Sequence, residues 1–227
     1  MRTEEFEFNG YKATVIIPKN PNGKWIWKTE FLYSFDKAEV ALCEKGYTRV
    51  YYQISDKYGS YNAVRLMHMF HLFIVKKYNL EEKANLFGFS RGGLYAFNYA
   101  LFYPEYVNKV YLDAPVLNLK SWPPKDSIDQ KIFFAEYNLN KNTFESFQDS
   151  PIDHLEEFQK NNIPLLIVAG DSDYVVPFSE NGQILVEYYK KCGTQVELYL
   201  KENCGHHPHS LQDVQPIVQF VLTARIK

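Results

Sequence analysis

The 227-residue chain is poor in cysteine, with only Cys43, Cys192 and Cys204. An odd number without paired metal-type spacing argues against a disulfide framework or a cysteine-held zinc, and reads as free thiols in a reducing compartment. Apolar runs long enough to cross a bilayer are also missing, so no membrane partner is expected. Runs of one charge sign are absent too. The 25 Lys and Arg and 27 Asp and Glu give a formal charge of −2 and are dispersed, which argues against nucleic acid or an anionic lipid surface as a partner. The opening MRTEEFEFNGYK has acids where a secretory signal needs a basic start and an apolar run, so a cytoplasmic location is expected. Internal repeats and low-complexity linkers are lacking as well, and the length suits one domain over 1–227.

What the chain does have is aromatic mass and a recurring order of elements. With 18 Tyr, 17 Phe and 3 Trp, some rings are available to line a pocket beyond those needed for a core. EFEFNGYK and KATVIIPK form two strands around an Asn9-Gly10 turn, followed by KWIWKTEF (24–31) and a helix over 36–46 closed by Gly46. TRVYYQIS (48–55) is a fourth strand. A long amphipathic helix from Tyr61 to Tyr78 places apolar residues at 64, 67, 70 and 74 on one side. Further strands are expected at 83–90, 109–115, 163–171 and 195–202, with a helix directly after the first of these and another from about Leu211. Alternation of this kind predicts an α/β architecture: a mostly parallel sheet of about eight strands with helices on both faces. Between strands the pattern lapses over about 116–162, too long for a plain crossover, and a small cap or lid is expected there.

The chemistry centres on Gly88-Phe89-Ser90-Arg91-Gly92-Gly93, a G-x-S-x-G motif between a buried strand and a helix. The sharp turn strains the serine backbone, so the positions two residues to either side, Gly88 and Gly92, must lack side chains, and it aims the hydroxyl at the positive end of the next helix. A serine nucleophile needs a base, and the base needs an orienting carboxylate. Ala169-Gly170-Asp171-Ser172-Asp173 ends one strand and Gly205-His206-His207-Pro208-His209 follows the last, giving the chain order Ser, Asp, His.

These motifs together resemble the α/β-hydrolase superfamily, in its small serine esterase and prolyl-oligopeptidase-like branch. The resemblance runs over nearly the whole chain and is weakest in the cap. It implies Ser90 as nucleophile and His206 as base. It also implies Asp173, two positions ahead of Val175-Val176-Pro177, as acid. Asp171 and Asp113 are the alternative acids, and His207 and His209 the rival bases.

The oxyanion would be held by the Arg91 N–H and by a second amide after the third strand, around Trp27 or Lys28. The family's His-Gly at that strand end is absent here, where Trp25-Ile26-Trp27-Lys28-Thr29-Glu30 stands instead. Lys28, Trp122 and Phe133 are the expected substrate contacts, with Phe134 and Tyr58 as further candidate walls. Ordinary core packing is the competing reading for every one of these rings.

Three histidines within four residues invite a metal, but no carboxylate or cysteine pair accompanies them at ligand spacing, so neither metal nor cofactor is expected. His68 and His71 are read as structural, and His154 as solvated or near substrate. The expected activity is hydrolysis of a small-molecule carboxylic ester, short-acyl or on a carbohydrate or aromatic group, through an acyl-enzyme. A small peptidase or amidase is the enzymic alternative, although such peptidases normally carry a large extra domain for which this chain leaves no room. The other alternative is a hydrolase fold used only for binding. Ser90 itself argues against dehalogenase, epoxide hydrolase and dienelactone hydrolase chemistry, which place Asp or Cys at the elbow.

Overall fold

Asn9 and Gly10 both take the left-handed backbone that a two-residue hairpin turn requires, and they join β1 (Arg2–Phe8) to β2 (Tyr11–Ile17). The computed structural model describes residues 1–224, so the last three residues of the expected domain lie outside the description. Beyond the hairpin the elements run β3 (Trp25–Lys28), α1 (Lys37–Glu44), β4 (Thr48–Tyr52), α2 (Tyr61–Tyr78), β5 (Ala84–Phe89), α3 (Gly92–Phe102) and β6 (Val107–Asp113). Three short helices follow, α4 (Ile128–Glu136), α5 (Lys141–Glu145) and α6 (Leu155–Lys160). The chain closes with β7 (Leu165–Gly170), α7 (Gly182–Lys191), β8 (Val196–Lys201) and α8 (Gln215–Leu222).

All eight strands form one sheet in the order β1-β2-β4-β3-β5-β6-β7-β8, antiparallel at the β1–β2 and β2–β4 seams and parallel elsewhere. This is the mostly parallel sheet expected from the alternation of elements, in the α/β-hydrolase arrangement that the resemblance implies. The crossover helices bury both faces, so the central strands are apolar on both sides: β5 and β7 have no exposed residue. Helix α2 turns Val64, Met67, Phe70 and Ile74 inward, matching its predicted stripe. Two expectations shift. The C-terminal helix starts at Gln215, because Leu211–Val214 form an irregular lead-in with Pro216 in the first helical turn. Helix α7 has no counterpart in the sequence reading.

The inner face of α2 carries one polar group. His71 is fully buried against Trp25, Trp27 and Tyr99, with its Nε2 2.7 Å from the Glu82 carbonyl. The structural reading of this histidine is therefore the one its surroundings support. Burial disfavours its charged form and, against the Glu82 carbonyl, lowers its pKa from 6.5 to about 4. An unfolded His71 takes up a proton before the folded one does. Its contribution to stability is therefore complete above pH 6.5 and drains away as the pH falls toward 4. The total is about 3 kcal/mol. In urea melts, His71→Gln should lose that much less stability than the parent over this interval; parallel losses would show that His71 does not carry the effect.

Candidate active site

Ser90 stands at the turn between β5 and α3 with φ of +51°, the strained left-handed conformation expected of a nucleophile elbow. A Cβ on Gly88 would lie 2.8 Å from the Gly92 carbonyl, so the turn closes only without that side chain. The Ser90 hydroxyl lies 2.9 Å from His206 Nε2, and His206 Nδ1 lies 2.7 Å from Asp173 Oδ2. Asp173 Oδ1 accepts the Val175 and Val176 amides, both at 2.9 Å. Burial pushes the Asp173 carboxyl up, but His206 and these two amides outweigh it and hold the group below its ordinary pKa. Asp171 is exposed and takes only the Ser172 hydroxyl, at 2.8 Å.

Two loops must meet for this chain of bonds to exist. Gly170 ends β7 where a Cβ would stand 2.1 Å from the Cys204 carbonyl oxygen, and Ser172 N–H donates to that same oxygen at 3.0 Å. A bare backbone at 170 thus lets the aspartate loop lie directly on the histidine loop.

Asp113 has a different task from the one sequence left open to it. It is fully buried at the end of β6, and its carbonyl accepts the Ser90 N–H at 2.9 Å. Its carboxylate takes His209 Nδ1 at 2.7 Å, Ser210 N–H at 2.7 Å and the Tyr111 hydroxyl at 2.5 Å. Nucleophile turn and histidine loop are therefore tied to one residue. His209 is a buried anchor and His207 an exposed ring stacked on Phe35, so only His206 reaches Ser90.

Several expected contacts are corrected by burial. Trp27 lies inside the ladder between β4 and β5, its indole packed among Trp25, Phe70 and Tyr99. The ladder continues to Thr29, whose N–H donates to the Phe87 carbonyl at 3.0 Å, so the strand-end amides begin only at Glu30 and Phe31. Neither of those amides, nor that of Arg91, has a hydrogen-bond acceptor among the described residues. Lys28 is 2% exposed, sits over the Phe89 ring, and bonds to Glu39 and to the Ser34 carbonyl. Burial lowers its pKa against the pull of Glu39. Lys28 thus braces the 29–36 loop from below and cannot touch a ligand. Arg49 braces the same loop through the Leu32 carbonyl and Asp36.

Phe133 is fully buried among Phe134, Tyr137, Phe144 and Phe147, and Trp122 packs on Tyr58, so these rings form a core for α4 and α5. Among the rings that meet solvent, beside Tyr33 and Tyr174, are Phe31 and Phe35. Both sit at positive φ in the loop after β3, Phe31 5.4 Å from the Arg91 guanidinium and Phe35 beside His207 and His209. Arg91 itself is turned toward Glu30, whose pKa burial raises in spite of the guanidinium. His154 is held by Asp149 at 2.7 Å, within the segment joining β6 to β7.

The chain belongs to the prolyl oligopeptidase family, whose profile matches residues 44–224. Its fold is that of the α/β hydrolases. Among solved structures it is similar to a puromycin-hydrolyzing peptidase of Mycobacterium tuberculosis, at 13% identity and a TM-score of 0.72, over 96% of this chain and 38% of that one. Porphyromonas gingivalis dipeptidyl peptidase 4 aligns at 14% identity and a TM-score of 0.72, over 95% of this chain and 34% of the peptidase. The carboxylesterase Cest-2923 of Lactobacillus plantarum aligns at 14% identity and a TM-score of 0.68, over 91% and 85% of the two chains. The chain thus spans little more than a third of the two peptidases. A search of curated proteins returned no significant match. No described helix is long and apolar enough to cross a membrane.

The two buried aspartates should separate cleanly on substitution. Asp113→Asn removes an acceptor for His209 deep in the protein, at roughly 2 kcal/mol, which lowers Tm by roughly 4–8 °C in a domain of this size. Asp173→Asn should leave Tm closer to the parent and lose far more activity. Thermal melts beside hydrolysis rates decide it; full loss of activity in Asp113→Asn at unchanged Tm would make Asp113 the acid.

Proposed function

We propose that the protein hydrolyses carboxylic esters through an acyl-enzyme on Ser90. The observation that carries this reading is the unbroken hydrogen-bonded run Ser90–His206–Asp173 beginning on a strained elbow. His206 Nε2 accepts the proton from Ser90 as the oxygen attacks the acyl carbonyl. Asp173 keeps the other ring proton on Nδ1 and stabilises the imidazolium that forms. The imidazolium then protonates the departing alcohol, and a water activated by the same nitrogen releases the acid.

In this reading the tetrahedral oxyanion lies between the Arg91 amide, at the N-terminus of α3, and the amide of Glu30 or Phe31. Phe31 and Phe35 flank the two ends of the catalytic pair and offer flat faces to a sugar or aromatic group. This suits a short acyl ester on a carbohydrate or aromatic alcohol. Helices α4 to α6 act as a small cap, with Tyr58 bonded to Asp129 of α4 at 2.6 Å. The likeness to Cest-2923 over most of both chains supports the ester reading.

A peptidase is the second reading, favoured by the family profile and by the two peptidases that share the fold. An acyl-enzyme forms from amides or esters by the same steps, so the leaving group decides between them.

A fluorophosphonate probe should label the parent and leave Ser90→Ala unlabelled; equal absence of label in both would refute the nucleophile. Nitrophenyl and sugar esters of graded acyl length, run beside aminoacyl and dipeptidyl amides, should show turnover concentrated on short acyl esters. Faster turnover of the amides would transfer the assignment to a peptidase. Asp173→Asn should reduce kcat by about 10⁴-fold through the wrong imidazole tautomer. Asp171→Asn should keep kcat within about threefold of the parent, since it touches neither His206 nor the loop amides that orient it.

A further inference from the structure

We propose that His206, His207 and His209 form a site for a zinc-class divalent cation, and that occupancy of this site switches the hydrolase off. The three rings make a triangle with centroids 5.1, 4.8 and 4.9 Å apart, and one ring nitrogen from each lies within 4.8 Å of the other two. Two of them carry the support that metal-binding histidines need. His206 Nδ1 is held by Asp173 and His209 Nδ1 by Asp113, both at 2.7 Å, which fixes each ring proton on Nδ1 and leaves the lone pair on Nε2, where that of His206 meets the Ser90 hydroxyl at 2.9 Å. Carboxylate backing of this kind raises the basicity of the ligand nitrogen and orients its ring.

His207 is the adjustable third ligand. It is exposed, so its ring can swing in to shorten the separations toward the spacing that zinc bonds of about 2.0–2.1 Å demand. Water or hydroxide would complete a tetrahedron. The metal takes the same Nε2 lone pair that accepts the Ser90 proton, so coordination and general-base catalysis exclude each other. The cation is therefore an inhibitor here and no cofactor, and the inference rests on the geometry of the base rather than on the choice of ester or amide.

The test is a zinc titration read in two ways, by calorimetry on the resting protein and by fluorophosphonate labelling. One equivalent of zinc should bind, labelling should fall in step, and EDTA should restore it. His207→Ala should label normally without metal and should need at least about tenfold more zinc for the same suppression. Cys192→Ser and Cys204→Ser, which remove the thiols that compete for zinc, should leave the parental response intact. Zinc that binds without suppressing labelling, suppression unchanged in His207→Ala, or suppression abolished by Cys204→Ser would each overturn the proposal. A protein that never labels, with zinc or without, fails the nucleophile assignment instead, and calorimetry still reads the metal site.

Discussion

Asp113 is the constraint on which the site depends, because it ties two distant parts of the chain to one buried residue. Its backbone carbonyl belongs to the elbow, through Ser90 N–H, while its carboxylate belongs to the loop that carries His206. A 2.9 Å contact between Ser90 and His206 spans 116 residues of sequence, and loop mobility would blur it. Anchoring His209 and Ser210 to the strand beside the nucleophile removes that freedom. A fully buried carboxylate is costly unless its lone pairs are met, and three donors meet those of Asp113.

The other wall of the site is fixed by charges buried where the fold alone would favour apolar groups. Lys28 and Glu39 form an ion pair with almost no solvent contact, and Arg49 reaches Leu32 and Asp36 from the next strand. Such pairs contribute little net stability, because desolvation opposes the attraction. What they add is position. They pin the 29–36 loop from beneath, so that the amides after Thr29 stay opposite the elbow instead of folding onto it. Chains of the common family pattern carry His-Gly at this strand end; here buried cations hold a loop of bulkier residues.

The succession of elements along the chain and the mostly parallel sense of the sheet were legible because each motif sits at a switch between periods, as where the run 84–89 gives way to Gly92 and a helix. Ser90 could be picked out for the same reason, whereas Asp173 and His206 were singled out from neighbouring aspartates and histidines by the family resemblance. Trp122 and Phe133 were misplaced because the segment between β6 and β7 builds its own aromatic core, and Trp27 and Lys28 by a property of the sheet. Its central strands are buried on both faces, so alternation no longer tells pocket from core, and even a lysine at position 28 points inward. Helix α7 opens on Gly182 without a side-chain cap to announce it, although Leu185, Val186 and Tyr189 carry the helical spacing that would have revealed it.

The histidine cluster shows why the remainder was not legible. His206, His207 and His209 are three copies of one side chain within four positions, and nothing local distinguishes base, surface ring and anchor. Distant partners make the distinction: Asp173 from the loop after β7 takes the first, Phe35 from the loop after β3 stacks on the second, and Asp113 from β6 takes the third. A carboxylate behind an imidazole does the same physical work in each case, holding the proton on Nδ1 and sharpening the lone pair on Nε2. The lone pair of His206 faces a serine, which makes the ring a base; that of His209 faces two other imidazoles. The arrangement that equips this loop for proton transfer is therefore also the one that makes it receptive to a soft cation, and both properties follow from where the sheet places its aspartates.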